Sequence, residues 1–130
     1  MKNTIESILR SHGLLAEFLN STHFHTKIEN DPFMPLTIEK HSFRVMITHY
    51  YTQNGDLVPD PDMEFEILPD GTWRPVATQF AIGFYNVAVE YHNGVAEIDQ
   101  SELKKQNEFA EMWAANLNTQ GYMKLRIQEA

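Results

Sequence analysis

The chain opens on helical spacing. Ile5, Ile8 and Leu9 recur three and four residues apart, the interval that gathers side chains on one face of a helix. Asn3 and Glu6 match a capping box, in which the Asn3 side chain caps a backbone N–H and Glu6 reaches back. Gly13 can take the left-handed conformation that ends a helix. A second short helical turn follows, with Leu14, Leu15, Phe18 and Leu19 on its apolar side.

From Thr22 the period drops to two, the mark of strands. Phe24, Thr26 and Ile28 oppose His23, His25 and Lys27. Asn30-Asp31-Pro32 interrupts the run, because proline lacks an N–H and restricts the residue before it. Leu36 and Ile38 continue as a short strand, Lys40-His41-Ser42 reads as a turn, and Phe43, Val45, Ile47, His49 and Tyr51 then share one strand face. Asn54-Gly55 tolerates the positive φ angles of a tight turn. Met63, Phe65 and Ile67 form the next inward face, with Asp62, Glu64 and Glu66 opposite. After a turn at Pro69-Asp70-Gly71, strands are expected over Trp73–Gln79 and Phe84–Tyr91, the second ended by Asn93-Gly94.

The last helix is the plainest element. Asp99 and Glu102 form another capping box, and Leu103, Gln106, Ala110, Trp113, Ala114 and Leu117 trace one face of a helix of about five turns, with Gly121 as its C-cap. The tail Tyr122–Ile127 alternates and is read as a further strand. Helices, a run of strands and a closing helix predict an α+β domain: an antiparallel sheet of about five to seven strands with N- and C-terminal helices packed on one face.

Composition sharpens this picture. The chain has 130 residues, 42% of them hydrophobic, with 8 Phe, 5 Tyr and 2 Trp. That is the length of one domain with a core of its own, and too aromatic for a disordered segment. No cysteine is present, which removes disulfides, thiolate zinc sites, iron–sulfur clusters and a Cys nucleophile, and no other cofactor is implied. No run suggests a membrane helix or a secretory signal, so a cytoplasmic setting is expected. The 18 Asp and Glu against 10 Lys and Arg give a net charge of −8, which sets the chain against direct nucleic-acid binding.

Three stretches carry candidate chemistry. Asp56, Asp60, Asp62, Glu64 and Glu66 crowd one strand and its approach, and adjacent carboxylates of this kind suit a hard cation or a basic partner. The plain alternative is a solvated strand face that resists edge aggregation, with Arg44 as a cross-strand partner. His23 and His25 project the same way and make half of a transition-metal site, which His41, His49 or His92 would have to complete. Outward placement on a polar strand face explains the pair more simply. Tyr50 and Tyr51, followed by Asn54 and Asp56, set aromatic and hydrogen-bonding groups at a strand end and turn, where recognition residues often sit. Nucleophile elbows, phosphate loops and dinucleotide fingerprints are all missing.

Three blocks also carry a resemblance: Glu29 to Leu36, His49 to Phe65, and Leu103 to Tyr122. Together they resemble a family of small uncharacterised bacterial proteins, a domain of unknown function often carried on plasmids, phages or other mobile elements. The resemblance implies a shared architecture and that setting, and no activity.

The leading expectation is a non-enzymatic binding or regulatory module that meets a protein partner with a basic surface. Its residues would be Tyr50, Tyr51, Asn54, Asp56, Asp60, Asp62 and Glu64. Two other readings stay open. One is a metal-dependent enzyme using Asp60, Asp62 and Glu64 with His49 or His23. The other is an acidic decoy that imitates nucleic-acid phosphates. Oligomeric state is left open.

Overall fold

The computed structural model describes residues 1–81 and 83–124 of the chain. The elements run α1 (Lys2–Ser11), α2 (Leu15–Asn20), β1 (His23–Asn30), β2 (Phe33–His41), β3 (Arg44–Gln53), β4 (Asp56–Ile67), β5 (Trp73–Phe80), β6 (Phe84–Val87), β7 (Val89–His92), β8 (Val95–Ile98) and α3 (Gln100–Gln120). Strands β1 to β6 form an antiparallel meander in chain order, and β7 pairs with β8 in a separate two-stranded sheet. This is the expected α+β architecture, with the second sheet added. No helix among the described residues is long and apolar enough to cross a membrane.

Alternation sorts the main sheet into two faces. Phe24 and Ile28 of β1, Leu36 and Ile38 of β2, Val45 and Ile47 of β3, and Met63 and Phe65 of β4 form one buried layer. Onto it pack Ile5, Ile8 and Leu9 from α1, Phe18 from α2, and Ala110, Trp113 and Leu117 from α3. These are the positions that the two periodicities select: every second residue on a strand and every third or fourth on a helix. Trp113 is 5% exposed and stacks near Phe109 and His49. A smaller cluster, Val76, Ala77, Ala88 and Val89, joins the β7–β8 hairpin to β5.

Several local expectations are corrected, each for a tertiary reason. Helix α1 starts at Lys2, with the Ile5 N–H bonded to the Met1 carbonyl at 3.0 Å, so Asn3 lies inside the first turn and caps nothing. Met1 packs against the core, and that contact extends the helix backward. At α3 half of the box forms: the Glu102 N–H donates to Asp99 Oδ1 at 3.0 Å, while the Glu102 carboxylate accepts from Gln106. Leu19 is exposed, because α2 is too short to bury more than Phe18.

Lys40 and His41 belong to strand β2, and the turn is made by Ser42 at φ 55° with Phe43, which is 73% exposed. Lys40 lies on the covered face, where its Nζ donates to the Phe18 carbonyl at the end of α2 at 2.9 Å, and burial lowers its pKa. The stretch Phe84–Tyr91 is two strands in two sheets. Ala88 divides them: its N–H bonds Val76 and its carbonyl accepts from Asp99, which redirects the chain out of the main sheet. Tyr122 ends buried in a turn after α3 rather than in a strand, and Leu125–Ile127 lie outside the described residues.

Candidate functional site

The second face of the main sheet carries the polar half of each alternating strand. Its rows follow from the register. His23, His41, Arg44, Glu66 and Arg74 stand side by side across β1 to β5. His25, Glu39, Met46, Glu64 and Ala77 form the next row, and Lys27, Thr37, Thr48, Asp62 and Gln79 the third. No helix among the described residues covers this face.

The first row is neutralised internally. Glu66, 6% exposed, accepts from Arg74 Nε at 2.6 Å, from Arg74 Nη2 and from the Tyr91 hydroxyl. Tyr91 comes from β7, so the small hairpin folds against this end of the sheet. Arg44 lies 5.9 Å from the Tyr91 ring centre and pairs with Glu64 at 3.2 Å. Two of the carboxylates expected to repel one another are thus held by arginines, one of them the anticipated Arg44.

The third row is different. Asp62 accepts from Thr48 Oγ1 at 3.0 Å and has no ion pair with any described cation. Burial raises its pKa, the Thr48 hydrogen bond opposes the shift, and the charges of Glu64 and Glu39 add to it. Tyr50 stands close enough that its own pKa is raised, first by burial and then by Asp62 and Glu39. Glu39 in turn lies 3.6 Å from His25 Nε2 and 3.8 Å from His41 Nε2. A half-buried carboxylate beside a tyrosine, with a second carboxylate near, is a cation-seeking arrangement.

Past His49, β3 and β4 pair only with each other and form an arm. Its tip is Asn54 at φ 53° and Gly55 at φ 84°, the left-handed pair that a tight hairpin needs. The arm leans against β1 and β2: Tyr50, Tyr51, Thr52 and Leu57 share a cavity of about 300 Å³ with His25, Lys27, Pro35 and Thr37. Leu57 is 70% exposed at its mouth.

Most of the sequence-predicted residues fall on or near this face. Tyr50, Asp62 and Glu64 lie on it, and Tyr51 lines the arm cavity. Asn54 and Asp56 are exposed at the arm tip, away from Asp62. Asp60 is displaced from the acidic row, because two residues, Asp60 and Pro61, stand opposite His49 alone, and that bulge breaks the alternation. The proposed metal set does not assemble. His49 is on the covered face, 6% exposed, and His23 is on β1, separated from β4 by two strands. His23 and His41 do meet, ring centres 5.3 Å apart, but no group of three or more His, Asp or Glu among the described residues is placed to hold a metal ion. His92 sits on β7, near Glu90 and Glu97. Residue-by-residue reading missed Thr48, Glu39 and Lys27. Their signal was their phase in the alternation, legible only once the strand partners were known.

Fold and face together define an α+β protein built on an antiparallel meander with one face covered by helices and the other left open. A family model for a domain of unknown function, DUF6908, matches residues 3–123, and the chain belongs to that family. Neither a curated protein nor a solved structure matches it.

Proposed function

We propose that the protein is a binding module that receives a cationic side chain of a partner protein on its open sheet face. The observation that supports this reading is Asp62: a half-buried carboxylate without a cation among the described residues, beside Tyr50 and within the field of Glu39 and Glu64. An arginine or lysine entering there gains a charge-assisted hydrogen bond from Asp62 and a ring contact with Tyr50, and it relieves the repulsion among the acids. The net charge of −8 steers a basic partner toward the face and makes encounter sensitive to salt. The arm cavity, with Leu57 and Tyr51, gives the neighbouring residues of the partner an apolar seat. The decoy reading lacks such support, since Arg44 and Arg74 interleave with Glu64 and Glu66 and interrupt any phosphate-like track.

The test is a fluorescence-anisotropy titration with labelled Arg-Gly and Glu-Gly repeat peptides. The expected result is salt-sensitive binding of the basic peptide and none of the acidic one. Asp62→Asn should weaken binding about tenfold, as loss of a central charged contact does. Glu108→Gln, an exposed acid on α3, should leave it unchanged. Equal loss in both variants would show that net charge, not the Asp62 site, attracts the peptide.

A further inference from the structure

The covered face holds a second cleft, between α3 and the start of β2, with a volume of about 270 Å³. Trp113, Phe109 and Tyr122 give it aromatic walls, and Phe33, Met34 and Met112 stand at its mouth, 41%, 41% and 56% exposed. Among the described residues no charged side chain lines it. Large apolar side chains gathered on a free surface around a concavity are unfavourable in water unless something covers them.

The polar lining of the cleft comes from Asn116 and Gln120 on α3 and from His49 on β3, of which His49 is the buried one. The His49 ring lies 5.3 Å from the Trp113 ring centre and 5.8 Å from that of Tyr122. Its Nδ1 is 2.9 Å from the Pro35 carbonyl oxygen. A carbonyl only accepts, so Nδ1 carries the proton and donates, and in the neutral ring Nε2 is left with its lone pair. Burial lowers the pKa of His49, which keeps the ring neutral at pH 7. Nε2 has no hydrogen-bond partner among the described residues, although the residue is only 6% exposed. Tyr122, the nearest hydroxyl in the wall, already donates to the Met34 carbonyl, and its pKa is pushed up to about 12 by burial. An acceptor that no described group fills, open to an aromatic cleft, is one that the N–H or O–H of a ligand can meet.

We infer that this cleft binds a small planar aromatic molecule carrying one N–H or O–H donor, a phenol or an indole, with the donor bonded to His49 Nε2. The rings of Trp113 and Phe109 supply edge and face contacts. Among the described residues no charged group stands there to pair with a charged ligand, and a single imidazole nitrogen cannot hold a metal ion. The site is on the opposite side of the sheet from Asp62 and stands independently of the basic-partner reading.

Titration of the intact chain with p-cresol, indole and toluene, read by tryptophan fluorescence, tests it. Phenol and indole should bind at least about tenfold more tightly than toluene, which has the same shape as p-cresol but no donor. His49→Phe should bring that ratio close to one while toluene still binds. Because this variant also loses the bond to Pro35 and can fail to fold, the wild-type protein supplies a second readout. Its His49 Nε2 nitrogen resonance should shift upfield with p-cresol and stay in place with toluene. Equal affinities for p-cresol and toluene, or an unmoved Nε2 resonance at saturation, would overturn the assignment. A Gly-Tyr-Gly peptide binding more tightly than p-cresol would transfer the site from a free molecule to a protein side chain, and would equally overturn it.

Discussion

The two faces of one sheet are built from the same strands and obey opposite rules. On the covered face, aliphatic and aromatic side chains from four strands and three helices are packed together, and the polar Lys40 and His49 among them each bond a backbone carbonyl, of Phe18 and of Pro35. On the open face, charge is retained and paired piecemeal among the described residues: Glu66 with Arg74 and Tyr91, Glu64 with Arg44, and Asp62 with only the Thr48 hydroxyl. Covering a sheet face removes the choice of residue, because any unpaired polar group there is heavily penalised. Leaving it open permits an unpaired carboxylate to persist at modest cost, which is the condition for a binding site. The difference teaches that stability and recognition have been separated onto opposite sides of the strands.

The largest effect should come from breaking the covered face. Trp113→Ala is expected to cost about 3–5 kcal/mol in denaturant unfolding, the range for a large aromatic lost from a core. A loss under about 1 kcal/mol would show that α3 contributes little to the core. On the open face the best-paired group is Glu66, which ties β4, β5 and β7 together. Glu66→Ala leaves Arg74 without its carboxylate and should cost about 1–3 kcal/mol. If stability is unchanged, the network does not hold the β7–β8 hairpin against the sheet.

The smallest effects concern pH, and the two faces should respond with opposite sign. His49 has a folded pKa below its unfolded value of 6.5, so its contribution is fully present above that pH and is lost as pH falls through the folded value. Asp62 has a folded pKa above 3.8, so its charge opposes folding at neutral pH, and that penalty is relieved as pH falls through the raised value. Asp62→Asn should therefore raise the melting temperature at pH 7 and abolish the relief that falling pH brings. A variant less stable than wild type at pH 7 would make Asp62 a structural residue, in which the Thr48 hydrogen bond outweighs desolvation.

Much of the fold was legible from spacing. The α3 face is reproduced residue by residue apart from Leu103, which is half-buried, and the Gly121 cap and the Asp99 half of the capping box form as read. The turns at Asn54-Gly55 and Pro69-Asp70-Gly71 also fall where those residues permit them. These features depend on neighbours within a few positions. The break at Ala88 was not legible, because an alternating run looks the same whether its hydrogen bonds go to one sheet or to two. The early start of α1 was equally hidden, since it follows from the packing of Met1 against residues far along the chain.

The acidic row shows the same division. By itself the sequence determined that Asp62, Glu64 and Glu66 share a strand face, because the side-chain period of two is a property of the backbone. It also determined that the opposite residues face a core. Tertiary structure alone decided which carboxylate stays unpaired among the described residues: that depends on Arg44 reaching Glu64 from β3, on Arg74 and Tyr91 reaching Glu66 from β5 and β7, and on no described cation standing beside Asp62. It decided as well that His49 belongs to the aromatic cleft rather than to the acids. Strand phase is local, whereas the partner of a charge is set by register and by the path of distant segments, and no spacing within one strand encodes it.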